Sequence, residues 1–135
     1  MIIIEFYGID VSHYQGNIDW NAVAKTGINF AFVKAGGSED GIYTESMFEK
    51  NYAGAKASGL NVGAYYFPGS NFTSEEAGIA DARRFLDIIA GKTFEMPVAI
   101  DLEGTKPEDK DGATIATIAF CKIMEAAGYY VMIYG

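Results

Sequence analysis

The chain has 135 residues, half of them apolar, 14% aromatic and 21% charged, with a net charge of −8. One domain with its own buried core fits that balance, and a disordered chain does not. The acidity excludes the basic footprint of a duplex nucleic-acid binder and disfavours docking on an anionic membrane, so no nucleic-acid partner and no membrane insertion are expected. A single cysteine, Cys121, rules out an internal disulfide, and with one histidine in the chain a protein-built zinc site is not expected. No run of about 20 apolar residues occurs, and the N-terminus lacks the basic and apolar regions of a signal peptide.

In chain order, Ile2–Ile9 reads as strand one. Asp19 or Asn17 caps a short helix through Ala24, which Gly27 stops. Asn29–Lys34 is strand two. Thr44 is expected to cap a second helix with Phe48, Tyr52 and Ala55 on its apolar face, ended by Gly59. Leu60–Phe67 is strand three. Thr73 and Glu76 have capping-box spacing before a third helix. Ala77, Ile79, Ala80, Phe85, Ile88 and Ile89 form its buried side, and Gly91 stops it. Pro97–Leu102 is strand four. A fourth helix runs from about Ala113 to Ala127 with Ile115, Ile118, Cys121 and Met124 inward. Tyr129–Tyr134 is strand five. A helix–Gly–strand joint recurs at Gly27, Gly59 and Gly128, where glycine relieves a left-handed helix end.

This alternation with near-continuous apolar strands predicts a parallel α/β sheet. A doubly wound sheet and part of a (β/α) barrel both fit. The turn after strand one lacks the glycine pattern of a nucleotide site, and eight barrel units need more residues than are present.

Polar residues interrupt the strands at one place. Asp10, Lys34, Tyr65 with Tyr66, and Asp101 with Glu103 all stand at C-terminal strand ends, which parallel packing gathers on one rim. Tyr134 ends strand five on that rim. Asp101 and Glu103 are two apart, so on a continuing strand both carboxylates face one side. Carboxylates clustered in a partly apolar pocket have pKa values pushed apart, as glycoside hydrolysis requires. A lesser rival is a divalent-metal site, since three carboxylates also suit Mg²⁺ or Ca²⁺. Local capping by Asp101 with a solvated Glu103 is the plainer alternative.

Five ordered motifs resemble glycoside hydrolase family 25, the muramidases: Gly8-Ile-Asp-Val-Ser-His-Tyr-Gln-Gly16, Ile18-Asp-Trp20, Val33-Lys-Ala35, Gly63-Ala-Tyr-Tyr-Phe67 and Asp101-Leu-Glu103. The resemblance implies an irregular TIM-type (β/α) barrel, present as about five strands and four helices. Residues 1–135 would then be a catalytic domain that stops before its closing strands. It implies a lysozyme that cleaves the β-1,4 bond between N-acetylmuramic acid and N-acetylglucosamine in peptidoglycan, without a cofactor. A glycan-binding module that keeps the groove but does not cleave is the alternative. By position, Glu103 matches the general acid, Asp101 its partner carboxylate and Asp10 the first-strand acid. Tyr66 matches a pocket aromatic, and Lys34, Tyr65, Tyr134 and Gln15 are further substrate-side candidates. An ion pair is an equal alternative for Lys34. Trp20 is expected to pack, and His13 is not expected to be catalytic. Action at the cell wall follows, as a secreted enzyme or a phage-released lysin. Strands one and five, left as open edges, are expected to pair with other copies.

Overall fold

The computed structural model describes residues 6–135. Of the first expected strand, Ile2–Glu5 lie outside the described residues, and the observed strand β1 is Gly8–Val11. Four further strands run parallel to it: β2 (Phe30–Gly37), β4 (Asn61–Phe67), β5 (Val98–Asp101) and β6 (Val131–Tyr134). A short β3 (Tyr43–Thr44) pairs antiparallel with the end of β2. The sheet order is β1-β2-β4-β5-β6, with β3 beside β2. The helices are α1 (Trp20–Ala24), α2 (Phe48–Ala57), α3 (Glu75–Ile89) and α4 (Lys110–Ala126). The parallel α/β sheet expected from the sequence is therefore present, with its strands adjacent in chain order.

Strand periodicity divides the sheet into two faces. Ala31, Val33 and Ala35 of β2, Val62, Ala64 and Tyr66 of β4, and Val98 and Ile100 of β5 are buried on one face. They share a core with Phe48 of α2, Phe85 and Ile89 of α3, and Phe120 and Met124 of α4. The alternate residues, Phe30 and Phe32, Tyr65, and Ala99 and Asp101, line a groove on the opposite face. Each of Gly27, Gly59 and Gly128 has φ near +90°, as the recurrent joint predicts.

Four local expectations fail for identifiable reasons. Thr44 does not cap α2, because it is paired with Gly36 in β3; α2 starts at Phe48 after Met47, without a side-chain cap. Gly36 permits that pairing, since a Cβ there would lie 2.4 Å from the Tyr43 carbonyl oxygen. The cap of α3 is Ser74, one residue after Thr73; its hydroxyl accepts the Ala77 N–H at 3.1 Å. On α3 Ala80 is exposed, and the buried stripe carries Gly78, Asp81 and Ala82 instead. On α4 Ile115 and Ile118 are about half exposed, while Ala113, Ala116, Thr117, Ala119, Phe120 and Met124 are buried. The two helices approach until a Cβ on Gly78 would sit 2.2 Å from the Ala116 carbonyl oxygen. A contact that close takes the small stripe of α4, and the branched residues are turned aside.

Candidate active site

The groove has a volume of about 290 Å³ and a mainly apolar wall that includes Phe30, Phe32, Met132 and Ile133. Its polar members are Asp10 of β1, Tyr65 of β4, Asp101 of β5 and Tyr134 of β6. Register brings them together. Asp101 is directly opposite Tyr134, Tyr65 is opposite Ala99, and the next N–H, of Leu102, donates to the Tyr134 carbonyl at 2.7 Å.

Asp101 is the last residue of β5, so strand alternation does not extend to Glu103. A turn joins the two acids instead: the Glu103 N–H donates to Asp101 Oδ1 at 3.1 Å. The Thr105 N–H and hydroxyl both donate to the Leu102 carbonyl, at 3.2 and 2.9 Å, and brace that turn. Burial pushes the Asp101 carboxyl from 3.8 up to about 6. The backbone bond from Glu103 opposes the rise, and the nearby Glu103 and Asp10 carboxylates add to it. Glu103 itself is exposed at the rim. The Tyr65 phenol is held far above its ordinary value, first by burial and then by the charges of Asp10, Asp101 and Glu45. It therefore remains a neutral hydroxyl donor beside the acids.

The other candidates are placed differently. Tyr66 does not line the groove. Strand alternation turns it to the helix side, fully buried, where its hydroxyl donates to Asp81 Oδ1 at 2.8 Å and lies 3.2 Å from the Gly37 carbonyl. Lys34 is buried and ion-paired with Glu39 at 2.8 Å, its ammonium between the rings of Tyr43 and Phe67. Burial opposes its charge, but the hydrogen bonds and charges of Glu39 and Tyr43 together outweigh that and hold its pKa above 10.5. Gln15 is used locally: its side chain accepts the Ser12 N–H at 2.7 Å and closes a capping box on a single 3₁₀ turn. Trp20 is buried against Gly54, where a Cβ would come within 2.2 Å of its ring.

Sequence reasoning missed three acids. Glu45, almost wholly buried, accepts the His13 backbone N–H at 2.9 Å and meets the His13 ring Nδ1 at 2.8 Å. Glu39 holds Lys34, and Asp81 holds Tyr66. None has a periodic signal: Glu45 and Asp81 meet partners 32 and 15 residues away, and Glu39 reaches Lys34 from the irregular segment that follows β2. Among the described residues, no group of three or more His, Cys, Asp or Glu side chains is gathered to hold a metal ion, and no helix is long and apolar enough to cross a membrane.

The sequence profile of Glycosyl hydrolases family 25 matches residues 9–135. The autolytic lysozyme of Clostridium acetobutylicum is 32% identical over 127 residues, covering 94% of this chain and 37% of that protein. Lysozyme M1 of Streptomyces globisporus is 37% identical over 99 residues, covering 71% of this chain and 32% of that protein. The chain thus spans about a third of the length of these curated relatives. A solved family 25 glycosyl hydrolase from Bacillus anthracis superposes with a TM-score of 0.78 at 28% identity, over 96% of this chain and 60% of that one. With the profile running from strand β1 to the last residue and the acids of the groove inside it, the chain belongs to Glycosyl hydrolases family 25.

Proposed function

We propose that this chain carries the acid-bearing wall of a muramidase groove and cleaves the β-1,4 bond between N-acetylmuramic acid and N-acetylglucosamine in peptidoglycan. The observation that carries the proposal is Asp101, held near pKa 6 at the mouth of an apolar groove with Glu103 and Asp10 beside it. Glu103, at the open rim, gives a proton to the leaving glycosidic oxygen as the C–O bond breaks, and a water molecule then adds to the freed sugar carbon and returns a proton to that carboxylate. Asp101, when ionised, supports the positive charge growing on the sugar ring, and Asp10 adds to that field. The neutral Tyr65 hydroxyl is a donor for the sugar's N-acetyl group. The apolar wall and Tyr134 suit the faces of sugar rings.

Sequential parallel strands, with the helices packed on one face and the groove on the other, support an irregular (β/α) barrel of which this sheet is one arc. The substrate puts the site of action outside the cytoplasm, on the bacterial wall, as the names of the lysozyme relatives suggest.

The test is release of reducing sugar from purified cell walls by the full-length protein. Glu103→Gln is expected to lower the rate by several powers of ten. Wild-type release by that variant overturns the role of Glu103. Binding of muramyl oligosaccharide without any cleavage overturns the enzyme in favour of a glycan-binding module.

A further inference from the structure

Helix α3 buries a carboxylate that the proposed reaction does not use. Asp81 is 3% exposed, and both of its oxygens are engaged. The Tyr66 hydroxyl donates to Oδ1 at 2.8 Å and the Ser38 hydroxyl to Oδ2 at 2.9 Å. A buried carboxylate is seldom retained for stability alone, since a packed apolar side chain serves as well. What it does geometrically is specific. The single proton of the Ser38 hydroxyl goes to Asp81 Oδ2, which leaves Ser38 Oγ to act as acceptor on its other side. There it receives the Gly69 N–H at 3.1 Å. The Ser38 N–H donates to the Phe67 carbonyl at 3.0 Å.

The segment that follows β2 is thus tied to the segment that follows β4, and the tie is anchored in α3. The joint has no slack: a Cβ on Gly69 would lie 2.5 Å from the Ser38 carbonyl oxygen and 2.6 Å from Glu39 Cα. The turn carrying Glu103 rests on the same segment. At Gly104 a Cβ would lie 2.6 Å from the Pro68 carbonyl oxygen and 2.9 Å from the Phe67 ring.

We propose that Asp81 is a positioning residue for Glu103: through Ser38 and Gly69 it fixes the Pro68–Gly69 seat on which the Glu103–Gly104 turn is held. For its catalytic consequence the inference rests on the muramidase reading. A displacement of about 1 Å in an acid that must meet one oxygen costs on the order of a hundredfold in rate.

Two variants of the full-length protein test this. Ser38→Ala cuts the tie between Asp81 and Gly69. Ile89→Ala removes a buried side chain two turns further along α3 and lowers stability without touching the tie. The expected result for Ser38→Ala is a loss of about 10–100-fold in kcat with KM within about twofold. Amide hydrogen exchange at Glu103 and Thr105 should also accelerate. Ile89→Ala, compared at equal fraction folded, should keep wild-type kcat and wild-type exchange at those two amides. The proposal is overturned if folded Ser38→Ala keeps wild-type exchange at those two amides, whatever its kcat, if it keeps wild-type kcat, or if Ile89→Ala changes them as much. Exchange does not require activity, so it decides the positioning role even where an inactive wild-type protein has already removed the muramidase reading.

Discussion

Replacing Asp101 by Asn should make the protein more stable at neutral pH and leave stability unchanged in acid. Folding carries the Asp101 carboxyl from 3.8 to about 6, mainly through burial. A carboxyl with a raised folded pKa binds its proton more tightly in the folded state. Its contribution to stability is complete below pH 3.8 and is lost as pH rises through 6. Two pH units correspond to about 3 kcal/mol, and solvent screening of this partly exposed group reduces the figure to about 1 kcal/mol. Asn keeps an oxygen to accept the Glu103 N–H and carries no charge, so it removes the cost of ionisation and little else. Urea unfolding of wild type and Asp101→Asn at pH 4 and pH 7.5 measures the effect. The variant should be favoured by about 1 kcal/mol at pH 7.5, show no difference at pH 4, and be catalytically impaired at both. A gap of the same size at both pH values, or a variant destabilised at pH 7.5, refutes the reasoning.

His13→Ala should cost about 2 kcal/mol by denaturant midpoint, because it strips the buried Glu45 carboxylate of its ring partner and leaves the backbone N–H alone. Gly78→Ala should lower Tm through a cost of about 1–3 kcal/mol, since its Cβ meets the backbone oxygen of Ala116 on α4; an unchanged Tm rules out the close helix contact. Lys34→Met should lower stability and leave KM for wall fragments within about twofold, because Glu39, not substrate, holds the ammonium; a large rise in KM restores Lys34 as a substrate contact. The 135-residue chain alone should self-associate, because its edge strand β6 has no charge or proline and exposes Met132, Ile133 and Tyr134. Light scattering after size exclusion checks this, and a monomer that unfolds cooperatively contradicts it.

The sheet was legible because its signals are local. Apolar runs between glycine joints locate five parallel strands, and acids at their ends locate the rim where Asp10 and Asp101 are found. What was hidden depends on partners distant in the chain. Strand β3 has two residues, and its pairing requires the close approach allowed at Gly36. The phase of α4 was set by the backbone contact between Gly78 and Ala116 rather than by its isoleucines. His13 and Glu45 stand 32 residues apart, and Ser38 and Asp81 stand 43 apart, so no spacing rule connects them.

Tyr65 and Tyr66 show why a family position and a side chain's location must be argued separately. Both lie in one apolar run at the end of β4, where composition offers no alternation to read. The register decides. Tyr65 is opposite Ala99, whose face continues to Asp101, whereas Tyr66 is opposite Ile100, whose face meets the helices. One phenol therefore stands beside the groove acids, and the other bonds the buried Asp81. A shift of β4 by one residue that brought Tyr66 to the acids would put Phe67 in its place and leave Asp81 without its phenol donor. The same strand that supplies a hydroxyl to the groove thus also locks its own register through α3, which ties the geometry of the site to the packing behind it.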